Sequence, residues 1–191
     1  MPIQSKQDLK AYLDADRIAL KRKGKRPEFK DLIWKFQICM RKREYIKNCK
    51  SGIFWNSYEK ILSFKYWILS LLCGYSIPLN VFGKGLRIAH RGTIIINDKT
   101  QIGDNCTLHA MVNIGTVPGL PYAAPTLGDN IYIAPGVKIY GKIHIASGIA
   151  IGANAVVNKD FHEENITIAG VPARKISSMG IKDISERNKR Q

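Results

Sequence analysis

The second half of the chain places an aliphatic or aromatic residue at every sixth position, and this period restricts the fold more than any other feature. The run is unbroken from residue 127 onward, and two shorter tracts of the same period precede it, offset by two extra residues near Thr100. These anchors are Phe82, Ile88, Ile94, Ile102, Leu108, Ile114, Leu127, Ile133, Ile139, Ile145, Ile151 and Val157. A second set of small or aliphatic residues recurs four positions after an anchor, at Leu86, Cys106, Val112, Ile131, Val137, Ile143, Ile149 and Ala155.

A period of six with two inward positions fits neither an amphipathic helix nor an alternating strand in a flat sheet. It is typical of short strands that turn corners around a narrow core, as in the hexapeptide β-helix. Glycine directly after an anchor suits a corner that needs a positive φ or close backbone packing. The glycines in this position are Gly83, Gly103, Gly115, Gly128 and Gly152. We therefore predict a mainly β fold, a parallel β-helix over residues 76–176.

One interruption of the repeat is a candidate binding element. The anchors Ile114 and Leu127 are thirteen residues apart, so residues 117–126 are predicted to leave the coil as an extruded loop. Loops held by a rigid scaffold often carry binding residues.

Residues 1–75 have a different character. They contain 17 basic and 7 acidic side chains, net +10 of the chain's +15, and few glycines. Apolar residues at helical spacing predict an α-helical N-terminal region. One stripe is Leu9, Tyr12, Leu13 and Ile18, a second is Phe29, Leu32, Ile33, Phe36 and Cys39, and a third helix is predicted over 57–73. Residues 177–191 are predicted to be a C-terminal tail with helical character.

The basic cluster at residues 21–27 has two open interpretations, a solvated connector or a contact with an anionic membrane face. No zinc-finger, RNA-recognition or helix-turn-helix pattern accompanies it, so a nucleic-acid partner is not predicted. The N-terminus is too polar for a secretory signal, and the cysteines show no metal-ligand spacing. These features predict a cytoplasmic protein with reduced thiols and no metal.

Two histidines mark a candidate catalytic face. His90 lies two residues past Ile88 and His109 one past Leu108. If three hexads make one coil, both histidines lie at outward positions on adjacent coils, where they fill no core. An imidazole can remove the proton of a hydroxyl near neutral pH. His144 and His162 are interpreted as solvated or structural residues.

Residues 76–176 resemble the left-handed β-helix, hexapeptide-repeat acetyltransferases, above all serine acetyltransferases and related polysaccharide O-acetyltransferases. The resemblance rests on IPLNVFGKGLRIAH at 77–90, VNIGT at 112–116 and AGVPARK at 169–175. It implies left-handed coiling, a homotrimer with sites between subunits, and direct acetyl transfer through a tetrahedral intermediate. His90 would be the general base, with His109 as a less certain second catalytic residue. The cofactor, acetyl-CoA, would lie against Gly115, Thr116, Ala134, Gly152, Ala153, Arg174 and Lys175.

Departures from the serine acetyltransferase pattern bear on the acceptor. The aspartate expected fifteen residues before the catalytic histidine is Tyr75, and a second one just before it is Ala89. The loop's Arg-His-Pro element reads Ala123, Ala124 and Pro125, so the guanidinium that would hold an amino-acid carboxylate is missing. We therefore predict an O-acetyltransferase acting on a sugar hydroxyl in bacterial surface polysaccharide synthesis, placed in the cytoplasm or at the inner membrane face.

Three alternatives stay open at this point. Serine O-acetyltransferase is the enzymatic runner-up, and an N-acetyltransferase for an amino sugar would use the same base. A trimeric scaffold without catalysis is the third, and it predicts that acetyl-CoA does not bind.

Overall fold

Three helices precede a column of short strands in the computed structural model, which describes residues 2–183. The helices are α1 (Lys6–Ala19), α2 (Leu32–Cys49) and α3 (Ile53–Cys73). The first strands are β1 (Tyr75–Ser76), β2 (Arg87–Ile88), β3 (Ile94–Ile96), β4 (Gln101–Ile102), β5 (Thr107–Leu108), β6 (Asn113–Gly115) and β7 (Thr126–Leu127). The remaining strands are β8 (Tyr132–Ile133), β9 (Lys138–Tyr140), β10 (His144–Ile145), β11 (Ala150–Ile151), β12 (Val156–Val157), β13 (Thr167–Ala169) and β14 (Arg174–Ser177).

Within the described residues the strands form three sheets that make the sides of a β-helix. Sheet A has the order β1-β3-β6-β9-β12, sheet B the order β4-β7-β10, and sheet C the order β2-β5-β8-β11-β13-β14. Neighbouring strands are parallel, except that β14 runs antiparallel to β13. One regular coil leads from Ile133 to its partner Ile151, which is three hexads. The predicted mainly β class and parallel β-helix are confirmed.

The hexapeptide period has a direct structural cause. All twelve anchors are buried, and the second inward set is buried except Ile143, which packs against the core from its edge. The offset near Thr100 lengthens one coil, so that Ile88 pairs with Leu108. Thr100 itself is buried.

Four of the five glycines after the anchors, Gly83, Gly103, Gly128 and Gly152, serve close packing and not positive φ. None of the five has a positive φ. A Cβ on Gly103 would lie 2.8 Å from the carbonyl carbon of Gly128 in the next coil, closer than real Cβ contacts. The left-handed corners belong to other positions, such as Asn105 (φ 59°) and Asn130 (φ 56°), because asparagine tolerates that conformation. The positive-φ explanation of these glycines is therefore wrong, and the packing explanation is confirmed for four of them but not for Gly115, where the nearest atom to an added Cβ is 3.8 Å away.

The predicted helices are present, with changed boundaries. The Ser5 side chain accepts a hydrogen bond from the Asp8 N–H at the start of α1, and Asp31 does the same for Trp34 in α2. Ile18 and Phe29 do not join the buried stripes, since they are 68% and 89% exposed. The third helix begins at Ile53, four residues before the predicted start.

One hydrophobic cluster connects the helices to the β-helix, running from Phe36 of α2 to Ala173 after the last coil. A buried ion-pair network lies at the same junction. Arg41 of α2 binds Asp16 (2.9 Å) and Glu44 (3.1 Å), and its guanidinium donates to the carbonyl of Gly83 at 2.6 Å. The helices are thus fastened to the first coil by both apolar and charged contacts.

No helix within residues 2–183 has the length and apolar character needed to cross a bilayer. The four cysteines, Cys39, Cys49, Cys73 and Cys106, are not disulfide-bonded. The tail predicted over 177–191 falls mostly outside the described residues, which end at 183.

Candidate active site

His90 and His109 lie next to each other on adjacent coils, as the repeat predicts. Ile88 and Leu108 are register partners in sheet C, and both histidines follow these strands directly. Their ring centroids are 5.7 Å apart, with the ring planes inclined by 49°. His90 is exposed and His109 half-buried. The two rings are therefore neighbours at an edge of the β-helix where the ring of His90 is open to solvent.

His109 occupies the more enclosed position. Its ring contacts Tyr132 of the next coil edge-on, with centroids 5.1 Å apart. Its Nε2 atom is buried and has no hydrogen-bond partner among the described residues. Burial, followed by the nearby charges of His90 and Arg87, lowers the pKa of His109. Both causes favour the neutral form of His109, and its Nε2 atom is enclosed by the surrounding protein.

Tyr75 supports His90 through the backbone. The Tyr75 hydroxyl donates a 2.9 Å hydrogen bond to the carbonyl oxygen of His90. Its ring is buried and lies edge-on to Phe36 of α2, with centroids 5.0 Å apart. The residue at the position of the expected aspartate therefore holds the main chain of His90, and no hydrogen bond joins it to the imidazole in the described part of the chain.

A row of small residues continues from His109 along the same edge of the β-helix. Ala134 follows β8 and Gly152 follows β11 in register, and Ala169 ends β13. The N–H groups of Ala134 and Gly152 donate to the carbonyls of Ile151 (3.1 Å) and Ile168 (2.8 Å). These two amides are therefore not open to a ligand, because they form hydrogen bonds between stacked coils. What the row offers is a narrow strip without bulky side chains.

Gly115 and Thr116 lie elsewhere, at the corner where sheet A ends. Gly115 is the last residue of β6, and Thr116 begins the segment that leads to β7 at Thr126. This segment includes the predicted extruded loop, in which Tyr122 is 81% exposed. In one chain, these two candidate cofactor residues are thus at a different corner from His109, Ala134 and Gly152.

Arg174 and Lys175 lie on β14 at the end of the row. Arg174 is the register partner of Ala169, and Lys175 that of Ile168. Lys175 forms a 2.6 Å ion pair with Glu163, whereas Arg174 has no carboxylate partner among the described residues. Ala153, beside Gly152, is exposed. The exposed guanidinium of Arg174 is therefore the cation best placed to meet a phosphate at this end.

The other two histidines lie apart from this edge. His144 belongs to β10 of sheet B, and its ring stacks on that of His162 with centroids 5.9 Å apart. Residues 2–183 hold no group of three or more His, Cys, Asp or Glu side chains arranged to bind a metal ion.

The sequence analysis did not identify two residues that lie beside the histidines, Tyr132 and Arg87. Both occupy the outward position just before an anchor, in register with Thr107 on the strand between them. The same period that located the histidines would have located this neighbouring row, had the outward positions been compared coil by coil.

Part of the chain is similar in sequence to serine acetyltransferases. No family model matches it. A serine acetyltransferase of Staphylococcus aureus is 36% identical over 101 residues, 52% of this chain and 47% of the relative. The serine acetyltransferase of Synechococcus elongatus is 32% identical over 114 residues, 59% of this chain and 46% of the relative. The chain thus matches a little under half the length of these curated relatives, and the predicted resemblance to serine acetyltransferases is confirmed.

Solved structures give the same similarity over more of the chain. A serine acetyltransferase from Brucella abortus has a TM-score of 0.68 at 22% identity, covering 92% of this chain and 71% of that one. The coenzyme A complex from that bacterium has a TM-score of 0.66 at 20% identity, covering 92% and 70%. The soybean enzyme with serine has a TM-score of 0.68 at 21% identity, covering 89% and 70%. The left-handed β-helix behind a helical N-terminal region is thereby confirmed as the fold.

Proposed function

We propose that this chain is an acetyl-CoA-dependent O-acetyltransferase with His90 as its general base. The observation that carries the proposal is the pairing of His90 and His109 at an open edge of a β-helix whose sequence resembles serine acetyltransferases. Acetyl-CoA supplies an acetyl group activated as a thioester. The similar Brucella structure with coenzyme A supports this co-substrate.

The residues of this chain fit such a co-substrate in a specific way. The strip formed by Ala134, Gly152 and Ala169 leaves room for an extended arm, and the exposed Arg174 lies at its far end. Arginine binds phosphate oxygens with paired N–H groups. Gly115 and Thr116 are proposed to contact the thioester end from a neighbouring subunit, since within one chain they lie at another corner.

The homotrimer that the family resemblance implies is proposed here, since it would account for this separation. A homotrimer would bring the Gly115 corner and loop of one subunit opposite the His90 edge of the next. Sedimentation velocity at micromolar concentration tests it, and a monomer that is fully active would contradict it.

The proton movements can be assigned to the histidines. His90 takes the proton that the acceptor hydroxyl loses as its oxygen attacks the acetyl carbon, and returns it to the departing thiolate. Burial lowers the pKa of His109, so this ring adds no positive charge beside the base. Tyr75 holds the carbonyl of His90 and thereby limits movement of the base.

Serine is the acceptor that the comparisons favour over the sugar predicted from the sequence. The curated relatives are serine acetyltransferases, and the soybean structure contains serine. This chain also has a guanidinium near the histidines, since Arg87 is close enough to contribute to lowering the pKa of His109. Arg87 is therefore proposed to take the carboxylate of serine in place of the arginine missing from the loop.

A sugar hydroxyl is the second candidate for the acetyl acceptor, and one observation favours it. The loop presents Ala123, Ala124 and the 81% exposed ring of Tyr122, and an aromatic face without charge suits a sugar. None of the comparisons supports this acceptor.

The test is release of the coenzyme A thiol with free serine and with a panel of nucleotide sugars and glycans. Turnover with serine that His90→Ala reduces by a factor of about 10²–10⁴ supports the proposal, and His162→Ala, on an exposed histidine far from the site, should leave it unchanged. Turnover with a glycan alone would favour the second acceptor. Failure of acetyl-CoA to bind would overturn both and favour a scaffold.

A further inference from the structure

Helix α3 is apolar on the side that faces solvent, which its packing in the fold does not explain. Its inner side packs against the rest of the protein through Leu62, Leu69 and Cys73, which are buried. On the opposite side, large hydrophobic side chains remain exposed at three- and four-residue spacing, at Ile61, Phe64, Trp67 and Leu71. We refer to these four residues as the α3 outer face.

The exposure of this face is unusual within the molecule. Seven of the sixteen large hydrophobic residues that are exposed among residues 2–183 lie on α3. Phe64 is 65% exposed and Trp67 54%, with ring centroids 5.8 Å apart. A contiguous apolar surface of this kind marks an interaction site.

The charges around the face are of one sign. Lys60 and Lys65 are exposed on the same helix. The single acidic residue of α3, Glu59, is held by Arg43 in a 2.7 Å ion pair. Residues 1–75 as a whole have a net charge of +10. The partner of the face must therefore combine an apolar interior with a negatively charged boundary.

From these observations we propose that the α3 outer face docks on a membrane surface containing anionic lipids. The apolar side chains enter the boundary between headgroups and acyl chains, and the lysines bind lipid phosphates. Trp67 suits this position because an indole ring combines an apolar body with a polar N–H. The helix lies along the surface without crossing it, in agreement with the finding that none of the described helices is suited to span a bilayer.

A two-fold contact between copies of this chain, which differs from the three-fold contacts of the proposed trimer, is the weaker alternative. In a two-fold contact the same patch meets itself, so Lys60 and Lys65 would approach the same lysines of the partner. No unpaired carboxylate on α3 is present to balance them, since Glu59 is already bound to Arg43.

The experiment is co-sedimentation of the full chain with vesicles of phosphatidylcholine alone and of phosphatidylcholine mixed with phosphatidylglycerol. We expect binding to the mixed vesicles, with a blue shift of tryptophan emission, and at least about tenfold weaker binding to the neutral ones. Phe64→Ser with Trp67→Ser should reduce binding about tenfold or more. Ile18→Ser, on an exposed hydrophobic residue of α1, is the matched control and should bind like the unchanged protein.

A second double variant tests the charged residues separately from the apolar ones. Lys60→Glu with Lys65→Glu keeps the apolar residues and reverses the charge, so binding should fall in the mixed vesicles only. The proposal is overturned if the unchanged protein ignores both vesicle types, or if either double variant binds like the control. It is also overturned if the Phe64 and Trp67 variant instead dissociates a larger assembly that forms without lipid, since the face would then join copies of the chain.

Discussion

The hydroxyl of Tyr75 donates a 2.9 Å hydrogen bond to the carbonyl oxygen of His90, and so connects the first strand to the candidate base. Burial is the main cause that raises the pKa of Tyr75, so the phenol keeps its proton and remains a donor through the neutral and mildly alkaline range. The contact reaches the main chain of His90, which means that Tyr75 acts as a positioning residue.

Tyr75→Phe should lower kcat by a factor of about 2–10, because it removes one hydrogen bond of roughly 0.5–1.5 kcal/mol while the ring stays packed on Phe36. The KM for acetyl-CoA should change little. Steady-state kinetics by thiol release measures both values, and Tyr45→Phe on α2 is the control. A changed KM with an unchanged kcat would show that Tyr75 does not position the base.

Arg41→Met should destabilise the protein by about 3–5 kcal/mol, because it leaves Asp16 and Glu44 buried without their cation. Burial alone would lower the pKa of Arg41, but the two carboxylates outweigh it and the pKa is raised. Urea unfolding followed by circular dichroism gives the free energy. Arg22→Met removes a more exposed ion pair, with Asp31, and should cost about 1 kcal/mol or less. Equal losses in the two variants would contradict the role given to burial.

His109 should titrate below its ordinary pKa of 6.5, because burial and the charges of His90 and Arg87 disfavour its cation. Between the two pKa values, His109 is therefore protonated in the unfolded chain and neutral in the folded protein. The contribution of His109 to stability is therefore complete above pH 6.5 and is lost as the pH falls through the lowered value.

Histidine proton NMR over a pH series measures this titration, with His109→Gln used to assign the resonance. Arg87→Gln should move the pKa of His109 upward by removing one of the causes. A His109 titration at or above 6.5 in the unchanged protein would show that its environment differs from the one described.

Gly103→Ala should destabilise the β-helix by about 1–3 kcal/mol, because the added carbon would overlap the next coil. Its Cβ would lie 2.2 Å from an Asp129 side-chain oxygen and 2.8 Å from the main chain of Gly128. Gly115→Ala is the matched variant, since its nearest neighbour, the Asn113 side-chain oxygen, is 3.8 Å away. Thermal unfolding should separate the two, and similar melting temperatures would contradict the packing explanation. Any rise in the KM for acetyl-CoA in the stable Gly115 variant would support its place in the site.

The hexapeptide period was enough to predict the β-helix, because stacked coils bury the same two positions of each repeat and the sequence must show this. Counting coils also predicted that His90 and His109 are neighbours. The period did not predict which residues form the left-handed corners. Asn105 and not Gly103 adopts the positive φ, and either residue type permits that backbone. The helix boundaries differ from the predicted ones because an apolar stripe does not show which of its residues are packed. Phe29 matches the stripe and yet is exposed to solvent.

The sequence by itself determined the repeat, the position of the histidines on it and the resemblance that names the chemistry, because each depends on residues counted along the chain. The tertiary structure decided what lies beside them. Contacts such as Tyr75 with His90 and Arg41 with the Gly83 carbonyl join residues distant in sequence, and no local pattern encodes them. The exposure of the α3 outer face is likewise a tertiary property, since an apolar helix reveals which side is left uncovered only when its packing partners are in place.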